Sequence, residues 1–157
     1  MTTKFIIKAL PKGKFNEFMG LSDEKLASMH ARWQMVDSSP GNPCRVSLID
    51  AKVGEKVLAL PFIHHDVDSP YRASGPIFVR EHAETVHLGI NEIPTMLRHR
   101  QLSLRAYDTN KIMIEAGVVQ GEDLELFIEK QFNNVCVEYI HIHNAAQGCF
   151  HCAVYRA

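Results

Sequence analysis

No apolar run in this chain approaches the ~20 residues a helix needs to span a bilayer, so no membrane-spanning helix is expected. An excess of one charge is also missing. Lys and Arg number 17 against 18 Asp and Glu, for a formal net charge of −1. That balance argues against a protein that grips nucleic acid through a broad basic surface. Repeats, low-complexity blocks and long linkers are absent. Cysteine is scarce: there are four, and Cys44 stands far from the other three, so no disulfide framework is suggested. The opening MTTKFIIKALPKGK holds only a short apolar segment, Phe5 to Ile7, with no small-residue cleavage pattern behind it. It reads as a strand rather than a signal peptide. The expectation is a cytoplasmic protein with reduced thiols.

What is present is ordinary for a globular chain. Apolar residues make up 46% and charged residues 22% of 157 positions. Residues 1–157 are expected to form a single domain, long enough to bury roughly two-thirds of its unfolded surface.

Phe5 to Ala9 reads as a first strand. Ser22 is a candidate N-cap for a short helix to about Met29. Arg32 to Val36 reads as a second strand, followed by the dense turn segment Asp37 to Pro43. Cys44 to Ile49 and Glu55 to Phe62 look like strands joined through Val53-Gly54. Val57 to Leu60 is a continuous apolar run, which predicts burial on both faces. A polar loop from His64 to Gly75 leads to a short strand, Ile77 to Val79. Asn91 to Arg100 reads as a short helix begun near Pro94. Leu102 to Tyr107 alternates at period two, with Ile112 to Val119 as its hairpin partner. Glu122 to Phe132 is the clearest helix, with Leu124, Phe127, Ile128 and Phe132 along one stripe. Two strands close the chain. Strands outnumber helices and do not strictly alternate with them, which predicts an α+β fold with a largely antiparallel sheet. Phe15 and Trp33 are expected in the core.

The terminal segment YIHIHNAAQGCFHCAVYRA, Tyr139 to Ala157, concentrates the chemistry. If its strands pair across Asn144 to Gly148, His143 faces Cys149 and His141 faces His151. Residues two apart on a strand share a face, so one face would carry three imidazoles and a thiol. Zinc takes four nitrogen or sulfur ligands in a tetrahedron, and these four side chains have that chemistry. A flat row on a sheet tends to outspan one ion, and a one-residue slip breaks the match. Cys149 and Cys152 form a C-x-x-C, but residues three apart on a strand face opposite sides, and Cys152 fits a core position better.

A second reading makes Cys149 a nucleophile, since an imidazole next to a thiol favours the reactive thiolate. His143 would be the base, and Asn144 or Asp66 would orient it. Gly148 would let a substrate approach the backbone. The plainer alternative is a buried thiol beside a turn glycine. The arginines offer an anion site. Arg45 lies in a predicted strand, and Tyr71, Arg72, Ser74 and the Gly75 amide form a candidate cradle for carboxylate or phosphate. The competing reading has the arginines, Arg80 and Arg105 above all, in ion pairs with Asp50, Glu81, Asp108 or Glu115. His64 and His65 are adjacent on a strand, so at most one is expected to face a site.

The chain also resembles a bacterial family catalogued as the domain of unknown function number 1203. The matching pieces are Pro43 to Leu48, Asp50-Ala51 with Gly54-Glu55, Pro70 to Arg72 with Ser74 to Arg80, Leu102 to Ala106, Tyr139 to His141 with His143 to Ala145, and Gly148-Cys149. The resemblance runs in order over nearly the whole chain. It implies one compact cytosolic bacterial domain and brings no activity with it. Arg45, Tyr71, Arg72, His141, His143, Asn144 and Cys149 lie inside these motifs, whereas Cys136, His151 and Cys152 lie outside.

Three functions follow from these residues. The first is a pocket that binds a small anionic metabolite through Arg45 and Arg72, with Tyr71 and Ser74 beside it. There Cys149 would serve as nucleophile, His143 as base and Asn144 as its partner, in acyl or thiol transfer. The second is a non-enzymatic interaction domain. The third is a small metalloprotein built on His141, His143 and a further ligand. No cofactor or oligomeric state is assigned.

Overall fold

The computed structural model describes residues 3–157. Among the described residues, eight strands form two antiparallel sheets. β1 (Phe5–Lys8), β5 (Gln101–Tyr107), β6 (Met113–Gln120), β7 (Tyr139–Asn144) and β8 (Phe150–Arg156) make a five-stranded sheet in the order β1-β8-β7-β5-β6. β2 (Arg32–Met35), β3 (Lys56–His65) and β4 (Ala73–Arg80) make a three-stranded sheet in that order. Four short helices, α1 (Asn16–Met19), α2 (Asp23–Ser28), α3 (Thr95–Arg98) and α4 (Leu124–Phe132), complete the α+β fold. Among the described residues, no helix is long and apolar enough to cross a membrane.

Each element follows from its pattern. Leu102, Leu104 and Ala106 alternate onto one face of β5 and are fully buried. They meet Ile140, Ile142, Cys152 and Val154 from the neighbouring strands. α4 closes this face with Leu124, Ile128 and Phe132, each burial stabilising by about 1.5–3 kcal/mol. Phe127 reaches β6 at Gly117, where a Cβ would stand 2.7 Å from the Phe127 ring. Ser22 caps α2 by accepting the Lys25 amide at 3.1 Å. The smaller sheet builds its own core from Phe15, Leu26, Cys44, Val46, Leu58, Leu60 and Ile77, with Trp33 only partly buried against it.

Several elements differ from the sequence expectation. Cys44 to Ile49 is a turn, not a strand. It is held by Leu48 N–H to Cys44 O and Cys44 N–H to Ile49 O, both 3.0 Å, with Leu48 at φ 51°. Its β-pairing is limited to isolated bridges, Pro43 to Asp50 and Cys44 to Phe78. The helix expected over Asn91 to Arg100 is confined to α3. The first residues of the expected Glu122 helix lie in a 3-10 turn, Gly121–Asp123. β3 and β4 run further than expected, so the two ends of the anticipated His64 to Gly75 loop are sheet.

The terminal hairpin carries the difference that matters most. His143 pairs with Phe150 and His141 with Ala153, not with Cys149 and His151. A β-bulge falls between these pairs and leaves His151 as the extra residue. The turn itself needs Gly148, which sits at φ 82° and donates to Asn144 O at 3.0 Å.

Candidate functional site

The face of the five-stranded sheet opposite α4 is aromatic and imidazole-rich. Odd-numbered residues of β7, namely Tyr139, His141 and His143, point there by strand alternation. The C-terminal end of β3 crosses this face. His64 stacks on Phe150 with ring centroids 5.3 Å apart and meets His143 edge-on at 4.9 Å. His65 packs against His141 at 5.1 Å and Tyr107 at 4.2 Å. Both adjacent histidines therefore join one cluster, against the alternation expected of a regular strand. The register shift in β3 between Phe62 and His65 accounts for it.

Hydrogen bonds define two of these rings. His65 Nδ1 donates to Tyr71 O at 2.8 Å, so its Nε2 accepts from the Tyr139 hydroxyl at 2.5 Å. His143 Nδ1 donates to Gly148 O at 2.9 Å, leaving Nε2 a buried acceptor without a partner among the described residues. Burial lowers His64 to about 4, His143 to about 3 and His141 to about 2 and holds these three neutral; neighbouring imidazoles and Arg105 add in the same direction, while the Gly148 hydrogen bond opposes the shift at His143. His141 and His143 ring centroids lie 6.3 Å apart. Among the described residues, no group of three or more His, Cys, Asp or Glu is arranged to hold a metal ion.

A second constellation forms where the bulge and the turn meet the Pro43–Asp50 loop. Arg45 is 1% exposed. Its Nε donates to Phe150 O at 2.7 Å, its Nη1 to Pro43 O at 2.5 Å, and its Nη2 to Cys149 Sγ at 3.2 Å. Its backbone is pinned on both sides, to Phe78 O at 3.1 Å and from Leu10 N–H at 3.0 Å. Asn144 Nδ2 donates to the same sulfur at 3.1 Å. The Asn144 oxygen then accepts from His151 Nε2 at 2.8 Å. The bulge places the fully buried His151 behind the Asn144 amide, fixing which end of that amide meets the thiol. Burial, with Arg45 and Arg100 nearby, holds His151 well below the usual imidazole range.

The other thiols differ. Cys152 is buried in the main core, which pushes it up to about 12. Cys44 is also buried, and Cys136 is exposed. Cys149 is half-buried.

A cleft of about 330 Å³ adjoins this constellation, lined by Pro43, Arg100, Gln101, Asn144, Ala146 and Gln147 among others. Its arginine is occupied: Asp50 pairs with Arg100 through 2.5 and 3.0 Å contacts. Burial raises the Asp50 carboxyl, yet the Arg100 hydrogen bonds and charge outweigh it and hold the group below its ordinary value.

The structure thus brings Arg45, Asn144 and Cys149 together. His143 lies next along β7 but gives its Nδ1 to Gly148 and makes no hydrogen bond to Cys149. Tyr71, Arg72 and Ser74 are elsewhere. Tyr71 contacts Tyr107 at the far end of β7, and Arg72 forms an exposed ion pair with Asp66 at 2.6 Å. Tyr139 and Asn144 are five residues apart on β7, so the two arginine sites stand roughly 16 Å apart. Ser74 lines a separate apolar groove beside Pro61 and Pro76. Arg80 pairs with Glu55 at 2.8 Å, while Arg105 reaches only Ser103 at 3.3 Å. The role of His151 was not visible in the sequence, because the bulge that turns it toward Asn144 leaves no compositional mark.

The fold and site define a two-sheet α+β protein with a polar, thiol-containing corner. Residues 41–156 match the family model described as "Protein of unknown function (DUF1203)". The match covers most of the chain, and the chain belongs to that family. Arg45, Asn144 and Cys149 all fall within the matched span. No curated protein and no solved structure matches.

Proposed function

We propose that Cys149 is a nucleophile acting in thiol or acyl transfer on a small anionic molecule. The observation that carries this reading is the burial of Arg45 without a carboxylate. Among the described residues, its only ionisable hydrogen-bond partner is Cys149. Removing a guanidinium from water costs several kcal/mol unless a counter-charge is close. A thiolate on Cys149 supplies that charge, and the Asn144 amide adds a second donor to it. The thiolate is the reactive form of cysteine. His143 supports the turn through Gly148 rather than touching the sulfur, so it serves the nucleophile by holding its backbone. Arg45, not Arg72, is the cation of this site. The adjoining cleft, which meets this corner at Pro43 and Asn144, offers a place for the substrate.

Iodoacetamide labelling followed by peptide mass mapping tests the reading. Cys149 is expected to react at least about tenfold faster than the exposed Cys136, which serves as the ordinary thiol. Asn144→Ala should slow Cys149 and leave Cys136 unchanged. Equal rates at Cys149 and Cys136 in the wild-type chain would overturn the proposal.

A further inference from the structure

We infer that the substrates of Cys149 are small anionic disulfides, and that it works as a lone thiol needing an external thiol to regenerate it. This rests on reading Cys149 as the nucleophile. It adds the class of electrophile, the fate of the adduct and the sign of charge on the substrate.

The electrophile follows from what surrounds the sulfur. Its hydrogen-bond partners are Arg45 Nη2 and Asn144 Nδ2. Neither is an acid or base that exchanges a proton near neutral pH. His143 has its Nδ1 on Gly148 O, and His151 stands one amide away. An amide or ester would expel an amine or alkoxide, which needs a proton at that moment. A thioester would need donors for its oxyanion, and the two donors here already point at Sγ. Displacement at a disulfide asks for neither. The Cys149 thiolate attacks one sulfur of R–S–S–R and forms Cys149–S–S–R. The other half leaves as R–S⁻ with the electron pair of the broken S–S bond.

The fate of the adduct follows from the other thiols. A disulfide requires Cα atoms within about 7 Å and suitably aimed side chains. Cys152 is opposite Ile142 in the main core, and burial keeps it protonated. Cys44 is sealed in the core of the smaller sheet. Cys136 is exposed before the start of β7, whereas Cys149 lies past its other end, roughly 16 Å or more away. The mixed disulfide therefore waits for an external thiolate R′–S⁻. That thiolate attacks the R-side sulfur, forms R–S–S–R′ and returns the thiolate to Cys149. The cycle exchanges disulfides without net oxidation.

The charge preference follows from Arg45. Adduct formation consumes the thiolate charge and leaves a guanidinium 1% exposed with no carboxylate beside it. Three of its five N–H groups are engaged within the protein and the residue is buried, so its charge acts on R through the half-buried Cys149 beside it. A carboxylate on R restores the balance, and an ammonium on R worsens it. Arg100 cannot substitute, because Asp50 already holds it.

The test treats the full chain with oxidised glutathione, which carries carboxylates, or with cystamine, which carries ammonium groups. Intact mass and peptide mapping follow the products. One adduct at Cys149 is expected, formed about tenfold faster with the anionic disulfide and stable until free thiol is added. Because Arg45 is buried, Arg45→Met is run beside Arg45→Lys. The lysine variant should keep the charge preference, and the methionine variant, if folded, should lose it. Equal rates with both disulfides, an internal disulfide, or an adduct confined to Cys136 would overturn the inference. Selective iodoacetamide labelling of Cys149 without disulfide exchange would sink this inference alone. Loss of selective labelling would sink the nucleophile reading beneath it.

Discussion

Acid should loosen this protein well before its carboxylates protonate. His141 and His143 are 5% and 0% exposed, and burial lowers them from 6.5 to about 2 and about 3. Unfolding returns both rings to water and to their ordinary value. Between that value and the folded one, the unfolded chain binds more protons than the native chain, so stability falls as pH falls. At pH 5.5, one unit below the unfolded value, each ring favours the unfolded state by ~1.4 kcal/mol relative to alkaline pH. Two rings give ~3 kcal/mol, a large part of a typical 5–15 kcal/mol total. His64 and His151 shift in the same direction and add to the loss. Glu55 and Glu125, lowered by hydrogen bonds from Arg80 and Arg98, act on the opposite side of the window. Their stabilisation persists above the ordinary carboxylate value and disappears only below it. Urea unfolding followed by the fluorescence of Trp33, the single tryptophan, reads the effect. With a slope of about 2 kcal/mol per molar, these two rings alone should lower the midpoint by ~1.5 M between pH 7.5 and pH 5.5, and His64 and His151 should lower it further. His141→Leu should shrink that pH difference by about half of the two-ring contribution, whatever its own stability. An unchanged midpoint across this interval would refute the claim that these imidazoles are buried and neutral.

His151→Phe removes the bond that orients Asn144. Labelling of Cys149 should slow by about tenfold, the rate equivalent of one hydrogen bond of ~1.4 kcal/mol, while Cys136 labels as before. His151→Gln, which keeps a donor, should recover part of the rate, and identical slowing in both variants would reduce His151 to packing. Gly148→Ala meets no steric neighbour but forces a side chain onto φ 82°, so thermal unfolding should show a loss of about 1–2 kcal/mol. Gly121→Ala would set a Cβ 1.8 Å from Leu97 O, and soluble expression should collapse. Asp50→Asn breaks the Arg100 pair on the cleft wall. Denaturant unfolding should register about 2–3 kcal/mol, and a change below 0.5 kcal/mol would mean the pair is solvent-screened.

Local pattern was enough for much of the fold. The alternation of Leu102, Leu104 and Ala106, the stripe of Leu124, Ile128 and Phe132, and the Ser22 cap each act over a few residues, so they can be read from the chain. The Pro43-Cys44-Arg45 segment could not be read that way. Its apolar residues suit a strand, but its backbone closes as a turn because its partners, Phe78 and Leu10, are distant in sequence. The candidate site divides along the same line. The terminal segment by itself nominated Cys149 and Asn144, because a turn marked by Gly148 folds the two strands together, but it assigned Asn144 to His143 rather than to the thiol. Tertiary structure alone decided that Arg45 reaches that sulfur across more than a hundred residues, and that Arg72 does not. It also decided that a bulge turns His151 toward Asn144 and that His64 and His65 share one cluster. Register and burial depend on which surfaces must be excluded from water together, and that depends on the whole chain at once.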